Sequence, residues 1–527
     1  MSAFFGIVIP LLWIFPLLAA FVVQFVLRDT RHQRTAAIAT AWLVFLTTLA
    51  VFAVNGLGAT FARNDLESGP LFMSLHFHMA VDGLNAVLLP MTAAVALASL
   101  LSTPRSDLRG DTAARILVVE GTLLASFMAL DAALLVVFWV ASMLPLWQDT
   151  RRSGSRPLHV VMTLSVAATA IALFTAVILL ARHTAAAGLD SPLDLIAIAR
   201  MNVVDAPVVG WLFLFAALLR MGIFPMHLWL TAAAWRAPGY SAMPALFTSL
   251  GSFGLARVVM PLFPQLSQQV SDPLIVLGAF TALYGALLAI SQSDLRRVIG
   301  YFWVSQMGLV LTGLATLNAP GVAGGLLQAM SSVVEVSGLM LIALEVEARA
   351  GTTDMRLLGG LVRRAPRMAT GFLLLSAAAV GFPGTISFVA EDLAIQGLLV
   401  EHSVAAWVLL VVTAMNGITL FKAFKQTFLG PGSQHAKDLR GFADLRGWEY
   451  RASVAMMATL LVGGFMPQPL LAIRAGVVDA LQHIHRTPGG QHTAFVAPTE
   501  PASPRDSHAP VAPAAPSHAP SASPPEP

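Results

Sequence analysis

Two apolar stretches of this sequence combine helix-breaking residues with ionisable side chains. Proline removes a backbone hydrogen bond from a helix, and a glycine beside it loosens the turn. Within a membrane such a break survives only where it is buried in protein or lines a wet cavity, and a charge there usually faces a partner or a water path. Two such stretches are typical of the discontinuous helices of transporters, although simple proline kinks are the alternative. The residues concerned are Arg220, Gly222, Pro225 and His227 in the first stretch, and Gly381, Pro383, Gly384 and Glu391 in the second.

The composition predicts that these residues lie in a polytopic membrane protein. Of the 527 residues, 57% are hydrophobic and only 11% are charged, whereas soluble domains average about 25% charged residues. Apolar stretches long enough to cross a bilayer, at about 20 residues each, recur along the chain and predict an all-α protein with about fourteen transmembrane helices. These stretches are 4–27, 36–57, 79–101, 113–130, 131–147, 158–181, 207–230, 242–262, 273–291, 297–317, 321–346, 369–399, 403–427 and 452–473.

The placement of positive charge predicts the orientation. If the N-terminus lies outside, most of the 31 lysines and arginines fall in inner loops, which include 348–368 and 428–451. Since cytoplasmic loops carry an excess of lysine and arginine, we expect both termini outside. Residues 487–527 are rich in Pro, Ala and Ser without apolar periodicity. Such a tail buries too little surface to offset its conformational entropy and is predicted to be disordered.

Several chemistries are excluded by residue type. The chain has no cysteine, so it has no thiolate ligands for iron–sulfur clusters or zinc. No lysine precedes residue 422 in the sequence, and a P-loop requires one. No interleaving of aromatic and basic residues points to nucleic acid as a partner.

Three motifs resemble the antiporter-like, proton-conducting subunits of respiratory complex I. The resemblance covers about residues 75–475 and is strongest to subunit M of bacterial NADH–quinone oxidoreductase, which Asp82-Gly83-Leu84 and Pro467-Gln468-Pro469 favour over its paralogues. The motifs are Phe224-Pro225-Met226-His227-Leu228-Trp229-Leu230, Ser293-Asp294-Leu295-Arg296-Arg297, and Gly381-Phe382-Pro383-Gly384 followed by Glu391.

This resemblance implies a fold and a function. It implies fourteen helices containing two inverted five-helix repeats, with the seventh and twelfth helices broken. It also implies a membrane-arm subunit in the bacterial inner membrane, assembled with other membrane subunits, that couples proton translocation to electron transfer. NADH, flavin, iron–sulfur clusters and quinone would be bound by other subunits, so the chain would hold no cofactor or metal. The expected divisions are 1–112 (helices 1–3), 113–262 (first repeat), 263–430 (second repeat), 431–486 (inner loop and helix 14) and 487–527 (tail).

The sequence departs from the family at most of its proton-relay positions. Arginine stays protonated near neutral pH, so Arg220, which replaces a lysine, can hold a charge but cannot load and release a proton. With the family's glutamate replaced by Val140, Arg220 is expected to pair elsewhere, with Glu120 as the candidate. Of the relay positions, only the carboxylate of Glu391 is retained. The replaced positions are Val140, Arg220, Ser249, Gln306 and Ser332.

The remaining candidates have structural alternatives. Four residues are candidates for a water-linked proton path in the second half: Glu391, Asp392, Glu335 and His227. Alternatively, Glu335 and Glu391 bond backbone at helix breaks, and His227 has a packing or hinge role. Asp294, together with Arg296 and Arg297, is expected to form a helix cap and lipid anchor at the inner face of the membrane. Asp82 and Asp131 are also expected to be helix caps, and Glu345 is expected to be solvated.

Two functions therefore remain open from the sequence. One is a proton-translocating subunit of an NADH–quinone oxidoreductase-type complex. The other is a non-pumping scaffold or partner subunit of a cation/proton antiporter complex or of an energy-coupled inorganic-carbon uptake complex. The motifs favour the first function, and the lost relay residues favour the second.

Overall fold

The computed structural model describes a bundle of helices, most of them apolar, with one short hairpin. The first half of the bundle contains a β-hairpin and eleven helices, of which α1 and α10 are extended by π-helical turns. The described residues are 2–56, 64–72, 75–103, 110–152, 154–199, 206–236, 244–430 and 442–486. The elements of the first half are α1 (Ser2–Phe21, then π-helical Val22–Val26), α2 (Thr30–Gly56), β1 (Asn64–Phe72), β2 (Leu75–Val81), α3 (Leu88–Ser102), α4 (Gly110–Met128), α5 (Ala132–Arg152), α6 (Arg156–Ala186), α7 (Leu195–Ala199), α8 (Pro207–Met221), α9 (Leu228–Arg236), α10 (Pro244–Gly254, then π-helical Leu255–Val259) and α11 (Met260–Leu262).

The second half is built from helices alone, apart from a 3₁₀ turn at Leu361–Arg363. Its last two helices meet at an angle of 73°. These helices are α12 (Pro264–Ser291), α13 (Leu295–Ala315), α14 (Ala319–Ala350), α15 (Pro366–Ala379), α16 (Ile386–Leu399), α17 (Ser403–Phe428), α18 (Gly447–Phe465) and α19 (Pro467–Arg486).

The predicted all-α membrane architecture is confirmed. In the described part of the chain, eight helices are long and apolar enough to cross a membrane, or nine if the bent pair α18–α19 forms one span. Each of the fourteen predicted apolar stretches overlaps at least one helix, while the number of spans stays a prediction. The third stretch was placed too early, because residues 79–81 belong to β2 and the helix begins only at Leu88. The predicted disorder of 487–527 lies outside the described residues.

The hairpin β1–β2 is tied to the helices at its second strand. The amide of Leu130 donates to the carbonyl of His78 at 2.9 Å, and the buried His78 imidazole pairs with Asp194. Asp194 in turn caps α7 by accepting from the amide of Ile196 at 2.8 Å. This arrangement fixes the strand against the junction between α4 and α5.

Both predicted breaks interrupt helices in the structure. The first separates α8 from α9, where Gly222 adopts a left-handed conformation with φ of 73°. The second separates α15 from α16, where Gly381 and Gly384 have φ of 67° and 94°. A side chain is strained at such angles, which explains the glycines. Thr385 then caps α16 by accepting from the amide of Phe388 at 3.5 Å.

Small residues let α12 and α13 approach closely. A Cβ atom added at Gly308 would lie 2.4 Å from the backbone nitrogen of Ala282 and 2.6 Å from the carbonyl oxygen of Gly278. Helices in membranes pack through such small residues because lipid supplies no hydrophobic drive for helix association. The pair α12–α13 joins the two halves of the bundle, since α13 also packs on α9 and α14.

We predict that Gly308→Ala destabilises the protein by roughly 1–3 kcal/mol, because an overpacked contact must be relieved by moving backbone. The matched control is Gly476→Ala in α19, where an added Cβ atom meets nothing within 4 Å. Alanine favours a helix over glycine by up to about 1 kcal/mol, so the control should keep or raise stability. Thermal unfolding in detergent measures both variants. Equal unfolding temperatures for the two variants would contradict the close packing of α12 and α13.

Candidate functional site

Arg220 is a fully buried cation at the end of α8. Its Nη2 atom donates to the hydroxyl of Ser142 on α5 at 2.5 Å, and its Nε atom donates to the carbonyl of Phe247 on α10 at 3.0 Å. The guanidinium also lies 4.8 Å from the centre of the Phe247 ring. Within the described residues its Nη1 atom has no hydrogen-bond partner, and no carboxylate pairs with it. The first break therefore carries a fixed positive charge held by neutral groups.

The expected pair between Arg220 and Glu120 is not formed. Glu120 lies on α4 and is fully buried, yet neither carboxylate oxygen has a hydrogen-bond partner in the described part of the chain. The prediction was wrong because Ser142 and the carbonyl of Phe247 direct the guanidinium towards α5 and α10. Glu120 is thus a buried carboxyl group without a hydrogen-bond partner in the described part of the chain.

His227 connects the first break to α12. It is 3% exposed, its ring stacks on Phe224 at 5.9 Å, and its Nε2 atom lies 3.3 Å from the hydroxyl of Tyr284. Trp229, two residues further on, closes the break by donating from Nε1 to the carbonyl of Leu219 at 2.8 Å. The aromatic contacts of His227 favour its packing role, and in the described part of the chain no hydrogen bond joins it to the two glutamates of the second half.

Glu391 lies directly against the second break. The hydroxyl of Thr413 on α17 donates to its Oε2 atom at 3.1 Å. A Cβ atom at Gly381 would come within 2.9 Å of the same oxygen. Glycine at this position therefore provides both the left-handed turn and the room that the carboxylate occupies.

A small cavity lies beside Glu391. Its volume is about 10 Å³, and it lies between α13, α14, α16 and α17. A site needs about 10–15 Å³ and two or more polar partners to hold one water molecule. The cavity is therefore at the lower limit of the space that one water needs. Its polar lining comes from Glu391, Gln328 and Thr413, and its apolar lining from Leu309, Ala394, Ile395 and Leu409.

Two glutamines connect this cavity to the broken backbone. Gln328 on α14 donates from Nε2 to Oε1 of Gln306 on α13 at 2.5 Å. Gln306 donates from its own Nε2 to the carbonyl of Ala379 at 3.4 Å, where α15 ends. One polar chain thus runs from the freed carbonyl of the break through both amides to the cavity of Glu391.

Glu335 also lies on α14, about two turns beyond Gln328 and therefore on the same face of that helix. It is fully buried, and the hydroxyl of Ser387 donates to its Oε1 atom, while Oε2 has no partner in the described residues. Ser387 and Glu391 are four residues apart on α16, so they lie one above the other on the helix. The structure therefore brings together two of the predicted site residues.

Several buried polar residues of the site were missed in the sequence. Gln328, Ser387 and Thr413 are each a polar residue within an apolar helix. That was the only feature of the sequence that could have identified them as part of the site. Arg257 forms a buried ion pair with Asp82 at 2.5 Å. The expectation that Asp82 caps a helix was wrong, because its carboxylate accepts from the amides of Leu84 and Asn85 in the turn that precedes α3.

The other expectations for carboxylates gave mixed results. Asp294 caps α13 by accepting from the amide of Arg297 at 3.1 Å, and Asp131 accepts from the amides of Ala133 and Leu134. Glu345 was expected to be solvated, which is wrong. It is 4% exposed because Arg349 pairs with it and holds it between α14 and α18. Within the described ranges, no group of three or more His, Asp or Glu side chains is arranged to hold a metal ion.

Comparisons with known proteins agree with this architecture. Residues 121–417 match the family model described as "NADH:quinone oxidoreductase/Mrp antiporter, TM". NADH-quinone oxidoreductase subunit M of Rhodobacter capsulatus is 27% identical over 483 residues, which are 87% of this chain and 91% of that protein. Subunit M of Pseudomonas aeruginosa is 27% identical over 438 residues, covering 78% of this chain and 83% of that protein.

Solved structures share the fold. A chain of respiratory complex I from Thermus thermophilus with bound NADH superposes with a TM-score of 0.83 at 24% identity, covering 91% of this chain and all of that one. A chain of the Mrp complex from Dietzia superposes with a TM-score of 0.78 at 20% identity, covering 93% of this chain and 99% of that one. Since the family model spans more than half of the sequence, the chain belongs to the NADH:quinone oxidoreductase/Mrp antiporter family of transmembrane proteins.

Proposed function

We propose that this chain is a membrane-arm subunit of an NADH–quinone oxidoreductase-type complex and that protons pass through its second half by way of Glu391. The observation that carries the proposal is the position of Glu391, a buried carboxylate against a helix break, beside a small cavity that Gln328 and Thr413 also line. A buried carboxylate that can reach water is the side chain best able to take up and release a proton in such a place.

The second glutamate extends this path within the protein. The hydroxyl of Ser387 donates to Glu335, and Ser387 lies one turn before Glu391 on the same face of α16. We propose that this hydroxyl links the two carboxyl groups. A hydroxyl both donates and accepts hydrogen bonds and can therefore connect two titrating groups. Gln306 bonds the carbonyl of Ala379 at the break, and Gln328 bonds Gln306 and lines the cavity. Neither amide side chain titrates.

The first half lacks the same capacity. Arg220 holds its proton and is bonded only to neutral groups, and Glu120 has no partner to exchange with in the described residues. This observation favours the second candidate function, a non-pumping scaffold or partner subunit of a cation/proton antiporter or inorganic-carbon uptake complex. The structural similarity to an Mrp complex chain is compatible with that alternative.

The proposal includes the wider assembly. We place the chain in the bacterial inner membrane among other membrane subunits, with both termini outside and no cofactor of its own. NADH, flavin, iron–sulfur clusters and quinone would be held by its partners. We further propose that 113–262 and 263–430 are the two inverted repeats, since each contains one of the two broken helices.

Replacing Glu391 tests the central proposal. Glu391→Gln keeps shape and hydrogen bonding but cannot titrate, so it should leave assembly intact and abolish the proton movement coupled to NADH oxidation in vesicles containing the purified complex. The matched control is Asp392→Asn, the neighbouring carboxylate, which is exposed and bonded to Gln396 at 2.7 Å. Wild-type pumping by Glu391→Gln would establish the scaffold function instead.

The lost carboxylate of the first half can be tested by restoring it. We expect Arg220→Lys alone to give no proton path, because an amine buried without a carboxylate loses its charge. The double variant Val140→Glu with Arg220→Lys should raise proton flux above the sum of the two single changes. Flux in reconstituted vesicles measures this coupling. Strict additivity, or full activity with the lysine alone, would show that the missing carboxylate is not the limiting defect.

Reporter fusions test the orientation. A reporter that is active only outside the cytoplasm should give signal when fused at residue 490 and none when fused at residue 358. Residue 358 follows α14 in a loop rich in arginine, which the charge rule keeps inside. The reverse pattern would overturn the proposed orientation of both termini.

A further inference from the structure

A groove of about 420 Å³ opens on the outside of the bundle between α6, α9 and α13. It runs along the length of α9, beside the first turns of α6 and α13. Its walls are mainly apolar and include Leu158, Val161 and Leu228. Leu228 is 55% exposed, and Val160 and Leu164 on α6 are 53% and 65% exposed. Exposed leucine and valine at this density are typical of a surface that faces lipid.

Among the residues that line the groove, Arg297 is the cation, and its guanidinium lies over an aromatic ring. Its guanidinium lies 3.3 Å from the centre of the Trp235 ring, and in the described part of the chain it forms no ion pair. Its neighbour Arg296 is buried and donates to Glu347 at 2.8 Å and to the carbonyl of Ala234 at 2.9 Å. Of the two adjacent arginines, Arg296 is therefore bonded within the protein, whereas the guanidinium of Arg297 lines the groove.

The surroundings of Arg297 suit an anionic headgroup at the membrane surface. Arg297 lies in the first turn of α13, and Tyr301, one turn later on the same face, also lines the groove. Tryptophan and tyrosine concentrate at the level of lipid headgroups, and arginine binds phosphate oxygens in a two-pronged geometry. Basic pockets between transmembrane helices bind the headgroups of anionic lipids.

We propose that this groove binds one anionic phospholipid, with its phosphate on Arg297 and an acyl chain along Leu158, Val161 and Leu228. Charge complementarity selects this occupant. An apolar helix of another subunit would leave the guanidinium without a counter-ion, and a free phosphate ion would leave the apolar walls uncovered. The proposal does not depend on proton movement through Glu391.

Lipid retention by the whole complex tests the site. The purified complex is reconstituted in nanodiscs containing equal amounts of phosphatidylglycerol and phosphatidylcholine, and the lipids that remain bound after release into detergent are counted by native mass spectrometry. We expect the parent complex to retain one phosphatidylglycerol more than a complex with Arg297→Gln. This change should lower the preference for phosphatidylglycerol at the site about fivefold, and Arg297→Lys should restore part of it.

Two further variants separate charge from space. Ala232→Phe adds a ring to the groove wall while keeping Arg297, so it should reduce retention of both lipids. Arg451→Gln removes an exposed arginine from the start of α18 and should behave like the parent. If Arg297→Gln fails to assemble, the comparison of Ala232→Phe with the parent decides the question.

Two results would overturn the proposal. One is equal retention of phosphatidylglycerol by the parent and by Ala232→Phe or Arg297→Gln. The other is a photoreactive side chain at position 228 that, in native membranes, crosslinks to another subunit instead of to lipid. The second result would show that a neighbouring helix covers the groove. Crosslinking to lipid, together with loss of retention in Ala232→Phe, would support the proposal.

Discussion

A break in a helix within the membrane leaves backbone groups without partners, and much of this site follows from how those groups are satisfied. At the first break, the indole of Trp229 donates to the carbonyl of Leu219, so a side chain from the helix that follows the break satisfies a carbonyl of the helix that precedes it. At the second, the amide of Gln306, from a different helix, bonds the carbonyl of Ala379. The same physical need is therefore met by a local aromatic side chain in one half and by a polar network in the other.

That difference determines what each break can hold. Arg220 lies beside the first break, where the hydroxyl of Ser142 and the carbonyl of Phe247 accept two of the hydrogen bonds that its guanidinium can donate. Moving a charge from water into the protein costs free energy even when such hydrogen bonds form. The buried cation therefore needs its polar neighbours to stay within hydrogen-bonding distance. Glu391 lies beside the second break, next to the hydroxyl of Thr413 and a small cavity. Its carboxyl group can be neutral. A carboxyl group tolerates burial by accepting a proton, whereas arginine does not.

The sequence predicted the features that depend on local chemistry. Glycine and proline identified both breaks, and the cap at Asp294 followed from its position before a helix. Contacts between distant helices were beyond such reasoning. The pair of Asp82 and Arg257 joins residues 175 positions apart. Glu345 looked solvated because Glu449, which shares Arg349 with it, arrives from α18. The start of α3 was misplaced because an apolar run fits a strand and a helix equally well.

The two halves also differ in how freely their polar groups could rearrange. Gln306 and Gln328 bond each other at 2.5 Å, and Gln306 bonds the carbonyl at the break at 3.4 Å, so two hydrogen bonds connect the cavity to the break. Ser387 provides a similar link between Glu335 and the helix that carries Glu391. In the first half, the corresponding region holds a cation between fixed backbone and aromatic groups, and Glu120 stands apart from it. A network whose members can exchange hydrogen bonds can respond to a proton, whereas a permanently charged group can only set the field around it.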